Sequence, residues 1–320
     1  MRIGLTYDLK ADYLAKNFSK EDVAEFDCIE TIEAIEGVLV SLGHTVDRIG
    51  SLEPLMQQLL TGERWDMVFN IAEGLYGITR EALIPALLEA YKIPCTFSPA
   101  LLMVVLLDKA HTKDILASHG VAVGQYTVVR ENSDVERVRI PYPLFAKPIA
   151  EGTSKGVTKN SLIRDVAALK TVCTSLLHQF RQPVLVEEYL PGREFTVGIL
   201  GQGDSSRAIG VMEVLLHGDA EIEGYTYTNK QQYEDRVCYK LADEPAVAAL
   251  ALDAWRILGG VAAGRVDIKM NAKGDPCFIE ANPLPGLNPV YSDLAILCEL
   301  VGLPYHTLIE EIVEHSLNRT

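Results

Sequence analysis

Between Gly264 and Pro289 the chain reads GRVDIKMNAKGDPCFIEANPLPGLNP, and its second half puts Glu280 and Asn282 two residues apart inside an apolar run. Folded as two strands about a tight turn at Lys273 and Gly274, the stretch pairs Asp267 with Glu280 and Arg265 with Asn282. Alternation then sends Val266, Ile268, Cys277, Ile279 and Ala281 to the opposite, apolar face. Two carboxylates facing each other across a strand pair lie about 5 Å apart, and like charges so placed are destabilising. At an effective dielectric of 20 the repulsion is roughly 3 kcal/mol. A divalent cation held by Asp267, Glu280 and the Asn282 amide oxygen would offset it. Hard oxygen donors suit magnesium, or manganese in its place, better than zinc. The spacing is equally that of a solvated hairpin with both acids in water.

Upstream, PLFAKPIAEGTSKGVTK sets Lys147 at the end of an apolar strand, followed by Gly152, Thr153, Ser154 and Gly156. Such a loop can wrap a phosphate in backbone N–H groups while the lysine supplies charge, though the Walker order is absent and a surface turn has the same composition. VLVEEYLPGREF puts Glu187 and Glu188 at a strand end, then Tyr189 and Leu190, a Pro-Gly turn, and Glu194 on the next strand. A strand end of this kind can present its backbone to an adenine edge and an acid to ribose hydroxyls; the alternative is an acidic turn on an acidic protein. LDKAHTK gives Lys109 early in a helix.

These residues need elements to hold them. Residues 1–95 alternate strand and helix patterns: RIGLTY, then CIETIEAIEGVLVSLG with Ile29, Ile32, Ile35, Leu39 and Leu42 on one face and a stop at Gly43, then DMVFNIA, TREALIPALLEAY and a short closing strand in KIPCTFSP. That alternation predicts a parallel sheet with flanking helices. From 100 to about 181, helices LLMVVLLDKAHTKDILASHG and SLIRDVAALKTVCTSLLHQF flank strands at QYTVV and YPLFAKP. Beyond, long alternating strands, a helix EPAVAALALDAWRILGG and the hairpin follow. Residues 217–240 carry few aliphatics and read as a long loop. The expected fold class is α/β and α+β. The expected domains are 1–96, an N-terminal α/β substrate-binding unit; 97–181, a central unit; and 182–320, a C-terminal unit with the metal and catalytic residues.

Composition narrows the function. With 29 Lys and Arg against 44 Asp and Glu, the net charge of −15 argues against nucleic acid or an anionic membrane as partner. Apolar content of 48% and charged content of 23% are those of a soluble globular chain. Six scattered cysteines with no CxxC pair suit reduced thiols and suggest no zinc site. MRIGLTYD reads as a first strand instead of a leader, and PALLMVVLL is too short to span a bilayer. A cytoplasmic location is expected.

Taken in order, LDKAHTKDILASHGVAV, PLFAKPIAEGTSKGV, VLVEEYLPGREFTVGIL and GRVDIKM…GDPCFIEANPLPGL resemble the ATP-grasp superfamily, most closely the D-alanine–D-alanine ligases and their relatives. The likeness runs over nearly the whole chain. It implies an ATP-grasp fold, an N-terminal α/β domain followed by two ATP-grasp subdomains with nucleotide between them. It implies that Lys109 and Lys147 contact phosphates, that Gly152, Thr153, Ser154 and Gly156 form the loop over them, and that Glu187, Glu188, Tyr189 and Leu190 hold adenine. Glu194 then matches the ribose acid, and Asp267, Glu280 and Asn282 the metal ligands. Arg265, Ser154 and Lys147 are the expected catalytic residues. The implied chemistry is attack of a substrate carboxylate on the γ-phosphate of ATP, followed by displacement of phosphate from the acyl phosphate by an amine. Partners are then small amino-acid substrates, and a homodimer is the expected assembly.

Departures from the resemblance lie on the substrate side. No Gly-Gly-x-Ser-x-Glu pattern follows the first strand, where Glu25 or Glu30 could supply the acid. NIAEGLYGITREA, with Glu73, Arg80 and Glu81, stands where the relatives carry histidine-glycine. The Ser-Leu that clamps the second substrate's carboxylate becomes PVYSDLA, with Ser292 followed by Asp293. Substrate contacts are expected from Glu25, Glu73, Arg80, Gly286, Asn288 and Ser292, and a closing-loop tyrosine aligns near Gln231 and Tyr233. The expectation is a carboxylate–amine ligase with an altered substrate site. A true D-alanine–D-alanine ligase and a catalytically silent ATP-binding regulator are the alternatives.

Overall fold

The structure, a computed structural model, describes residues 1–218 and 236–318. Three sheets follow one another along the chain. Strands β1 (Arg2–Thr6), β2 (Thr45–Gly50) and β3 (Met67–Asn70) form a parallel sheet in the order β2-β1-β3. All four residues of β3 are buried, as a strand covered on both faces requires. Helices α1 (Lys10–Ala15), α2 (Ile29–Ser41), α3 (Leu52–Leu60) and α4 (Leu83–Ala90) belong to this part of the chain. Ile32, Ile35 and Leu39 of α2 are fully buried, whereas Ile29, at the first turn, stands 37% exposed. The expected strand in KIPCTFSP is only a single bridge, Cys95 beside Val68, where the Val68 amide donates to the Pro94 carbonyl and the Thr96 amide to the Val68 carbonyl.

The 20 residues that read as one helix are two, α5 (Ala100–Leu107) and α6 (Lys109–Ser118). Asp108 takes extended backbone between them, and its carboxylate accepts the Ala110 and His111 amides at 3.0 Å each. That N-cap satisfies two orphan donors and starts α6 at Lys109. The second sheet is antiparallel, in the order β4-β7-β5-β6, from β4 (Tyr126–Val129), β5 (Leu144–Pro148), β6 (Leu162–Ile163) and β7 (Val184–Glu188). SLIRDVAALKTVCTSLLHQF is likewise shorter as a helix than its pattern suggests. Leu162 and Ile163 pair with β5, and Asp165 caps α7 (Val166–Phe180) through the Ala168 amide.

The third sheet runs β10-β9-β8-β11-β12 and is antiparallel throughout: β8 (Glu194–Leu200), β9 (Arg207–Leu216), β10 (Val237–Leu241), β11 (Ala263–Met270) and β12 (Pro276–Asn282). β10 cuts short the loop expected over 217–240, because Val237 to Leu241 pair with β9; Gln231 and Tyr233 lie outside the described residues. Helix α8 (Pro245–Leu258) covers this sheet with Trp255, which is fully buried and donates its indole N–H to the Gly201 carbonyl at 3.1 Å. A Cβ on Gly264 would come within 2.2 Å of that ring, so glycine there lets β11 lie directly against the indole. Leu102, Leu106 and Leu116 of α5 and α6 join the same core. Helices α9 (Asp293–Leu300) and α10 (Tyr305–Leu317) return to the first sheet, where Leu308, Ile309, Ile312 and Val313 share a core with Ile3, Leu5 and Phe69.

Candidate active site

Helix α6 carries Lys109 and Lys113 one turn apart on the same face. Both side chains are buried. Lys113 Nζ lies 2.9 Å from Glu187 and also donates to the Phe278 carbonyl at 3.3 Å, while Lys109 Nζ lies 3.6 Å from Glu280 and donates to the Glu151 carbonyl at 2.6 Å. In the second sheet Lys147 on β5 and Glu187 on β7 lie diagonally on one face, with 3.1 Å between Nζ and Oε1. Lys147 also comes within 3.9 Å of Glu280. Burial pushes the Glu187 carboxyl up, but Lys113 and Lys147 outweigh it and leave its pKa at about 2. Burial alone would lower Lys147, yet Glu187 and Glu280 hold it above its ordinary value.

The hairpin registers Arg265 with Asn282 and Asp267 with Glu280, the two pairs that alternation requires. Below Asp267 the register shifts by one through a bulge, so Ile268 faces Phe278 and Lys269 faces Cys277. Phe278 therefore packs in one core cluster with Ile268, while Cys277 is buried outside that cluster and Ile279 lines the cleft. The connection is five residues, 271–275, not two: Asn271 accepts the Lys273 and Asp275 amides at 2.8 and 3.0 Å. Asp267 accepts from the Thr196 hydroxyl at 2.8 Å, and Asn282 Nδ2 lies 3.5 Å from Asp267 Oδ2. Among the described residues no three His, Cys, Asp or Glu gather as a metal cluster. The donor set is two carboxylates and an amide, beside two lysines, and hard oxygens in that company fit magnesium holding phosphate oxygens.

Between the second and third sheets opens a cleft of about 810 Å³, lined by Lys109, Lys147, Ser154, Glu187, Glu188, Tyr189, Leu190, Glu194, Asp267, Ile279 and Glu280 among others. The Glu188 and Tyr189 amides are engaged by the Gln125 and Pro143 carbonyls. Glu194 is joined by Lys269 at 2.7 Å, and that ammonium also sits 5.9 Å from the centre of the Tyr189 ring. In the loop after β5, Thr153 and Ser154 both adopt left-handed backbone, with φ of 48° and 55°, and Gly156 follows at 75°. Successive turns of this kind point amides to one side, the property a phosphate loop needs.

A second cavity of about 1580 Å³ continues from the first through Lys109, Glu151 and Glu280 towards the parallel sheet. Glu25, Glu73, Gly286 and Ser292 line it. Glu25 is bound from three sides: Arg80 Nη2 at 3.2 Å, the Gly152 amide at 2.7 Å and Lys155 Nζ at 3.1 Å. Burial raises its carboxyl, but Arg80 and Lys155 prevail and hold it near 2. Arg80 also donates to the Ala150 carbonyl at 2.8 Å, so the first sheet is fastened to the loop carrying Gly152. Glu73 is pushed up by burial and by Glu81, and burial raises Glu81 and Asp27 each to about 7. Asn288 is turned away from the cavity: its side chain donates to the Thr31 hydroxyl at 2.9 Å and accepts the Val290 amide. Ser292 Oγ accepts the Asn288 amide at 2.9 Å.

Lys113, Lys155 and Lys269 escaped the motif reading. Lys113 carried a legible signal, its i,i+4 spacing from Lys109. Lys155 has a local partner in Glu151, four residues before it at 2.8 Å, but it reaches Glu25, as Lys269 reaches Glu194, only through tertiary contacts.

Residues 115–314 match the family model for the C-terminus of D-ala D-ala ligase. The D-alanine–D-alanine ligase of Cupriavidus necator is 30% identical over 287 residues, covering 87% of this chain and 84% of that protein. That of Bordetella pertussis is 31% identical over 272 residues, 80% of this chain and 83% of that protein. The ATP complex of D-alanine–D-alanine ligase from Bacillus anthracis superposes with a TM-score of 0.75 at 20% identity, over 99% of this chain and 97% of that one. The chain therefore belongs to the ATP-grasp D-alanine–D-alanine ligase family, ATP-dependent ligases that form an amide bond.

Proposed function

We propose that this ligase joins two small amino-acid-like substrates through an acyl phosphate, with ATP in the 810 Å³ cleft and the reacting substrates in the cavity that continues from it. We read residues 1–96 as the substrate-binding unit and 97–181 and 182–320 as the two units that enclose nucleotide. The observation that carries the reading is the meeting of Lys109, Lys147 and Glu280, within 3.6 and 3.9 Å, where the two cavities join. Phosphate charge would be met there by Lys109 and Lys147. Asp267, Glu280 and Asn282 would hold magnesium, which when bound neutralises charge on the phosphate oxygens.

The step needs little covalent work from the protein. A substrate carboxylate attacks the γ-phosphorus, the bond to the β-phosphate oxygen breaks, and ADP leaves. Lys147 and Arg265 lower the energy of the charge spread over the transferring group. Ser154 has left-handed backbone, and in this reading it would turn loop amides towards the same oxygens. The amine of the second substrate then attacks the acyl carbon and inorganic phosphate departs. Burial keeps the lysines from wandering, so the charge is organised before substrate arrives.

The altered substrate side is supported by Glu25, whose carboxylate is already bound by Arg80, Lys155 and the Gly152 amide. A true D-alanine–D-alanine ligase is the second reading, favoured by the names of the relatives near 30% identity. Phosphate release with ATP, magnesium and a panel of D- and L-amino acids, singly and in pairs, tests both. Turnover confined to pairs other than D-alanine supports the first reading, and turnover with D-alanine alone supports the second. ATP binding without phosphate release from any pair would defeat both.

A further inference from the structure

Arg265 reaches the cavity with its guanidinium shared between two carboxylates. Nη2 donates to Asp267 at 3.1 Å and Nη1 donates to Asp293. The other Asp293 oxygen accepts from the Tyr239 hydroxyl at 3.2 Å. Asp293 is the first residue of α9, and its side chain is at least as buried as that of Arg265. It lines the 1580 Å³ cavity together with Gly286 and Ser292. An arginine facing a substrate cavity is ordinarily an anchor for a substrate carboxylate. Here a protein carboxylate of the same shape already stands against it.

An incoming carboxylate would have to share Arg265 with Asp293, and like charges brought together this way act as a barrier to the wrong partner. Among the described residues the other cations lining the cavity are Lys10 and Lys109, of which Lys109 is engaged by Glu280 and the Glu151 carbonyl, while burial pushes the acids Asp27 and Glu73 up. The geometry points to an amine acceptor that carries no free carboxylate, such as an amino-acid amide or a simple diamine, with Asp293 as the specificity-determining residue. This rests on the ligase reading above and names the class of its second substrate. The acceptor nitrogen attacks the acyl carbon with its lone pair, the carbon–oxygen bond to phosphate breaks, phosphate leaves with that pair, and the ammonium proton passes to solvent.

The test uses the full chain with ATP, magnesium and a panel of carboxylate donors against matched acceptors that differ only in the carboxylate: alanine against alaninamide, and lysine against 1,5-diaminopentane, in both hands where they exist. Phosphate release is measured and each product is weighed by mass spectrometry. The expected preference is on the order of 100-fold in kcat/KM for the acceptor lacking the carboxylate. Asp293→Asn, which keeps the shape and the Tyr239 contact, and Asp293→Leu should both narrow that ratio to within about 10-fold by improving the carboxylate-bearing acceptor. A merely structural Asp293 would lower both rates together and leave the ratio fixed. Wild-type turnover that favours the free amino acid, or a ratio unmoved in both variants, overturns this inference and leaves the ligase reading standing. No product from any pair overturns both.

Discussion

Glu280 stands where three lines of charge meet, opposite Asp267 and within 4 Å of two lysines. Glu280→Gln keeps its size and removes one charge, so turnover should fall by about 100-fold or more while the ATP dissociation constant changes by less than about 10-fold, because metal and lysine matter most in the transition state. Phosphate release and calorimetric ATP titration separate the two, and unchanged turnover would defeat the metal assignment. Glu187 has a different task. Its carboxyl sits near 2 in the folded chain against an ordinary 4.5, so it contributes stability that is complete above 4.5 and is lost as the pH falls towards 2. The shift corresponds to roughly 3 kcal/mol. In Glu187→Gln the buried Lys113 and Lys147 lose their common anion, which should cost about 3–5 kcal/mol at neutral pH and flatten the acid limb of the stability curve. Urea unfolding at a series of pH values measures both; an acid limb as steep as in the wild type would show that other carboxylates carry it.

At the scale of elements, a break in a helix decides where a lysine points. Because Asp108 caps α6, Lys109 becomes its first residue and Lys113 falls one turn below, aimed at a different acid. Asp108→Ala should cost about 1 kcal/mol of stability through the two lost amide bonds. It should also raise the KM for ATP severalfold, and Asp108→Asn, which can still cap, should restore both. Thermal unfolding with steady-state kinetics checks this, and a normal KM in the alanine variant would mean that Lys109 is placed by its other contacts. The break was hard to read because no Gly or Pro interrupts LLMVVLLDKAHTKDILASHG, and an Asp within a helical pattern also suits a solvated face. The hairpin was legible above its bulge and not below it. Arg265, Asp267, Glu280 and Asn282 alternate with small apolar residues and admit one register, whereas Cys277, Phe278 and Ile279 are consecutively apolar and satisfy either. Gly156 shows the same dependence on context: a Cβ there would meet Pro148 at 2.6 Å and Phe180 at 2.8 Å from two other elements, on left-handed backbone. Gly156→Ala should therefore destabilise by about 1–3 kcal/mol, where an open glycine turn would lose less. A shift in the urea midpoint below that range would show the loop can yield.

For the molecule as a whole, the sequence read as three successive units, and the packing ties its two ends together. Glu25 finds Arg80, Gly152 and Lys155 at separations of 55, 127 and 130 residues, distances at which no local pattern carries information. The C-terminal helix α10 behaves alike. Its Leu308, Ile309, Ile312 and Val313 are buried against Ile3, Leu5, Ile35 and Phe69, and the Phe97 amide donates to the Ser316 hydroxyl at 3.3 Å. Asn288 reaches Thr31, and the Tyr305 hydroxyl donates to the Leu287 carbonyl at 2.8 Å, so the segment joining β12 to α10 is fixed on the same core. A first sheet with only three strands, whose core is completed by residues more than 200 positions away, has too little apolar area of its own to offset the entropy of ordering it. Residues 1–96 alone should therefore lack a cooperative thermal transition by circular dichroism. In the full chain Ile312→Ala should cost about 2–5 kcal/mol and lower the midpoint reported by the first sheet as much as that reported by the third. Hydrogen exchange gives the same discrimination without a fragment: protection of β1 and α10 should fall together in Ile312→Ala. A fragment of residues 1–96 that melts cooperatively, or β1 amides that keep their wild-type protection in that variant, would show instead that the first sheet is an independent domain to which α10 is merely docked.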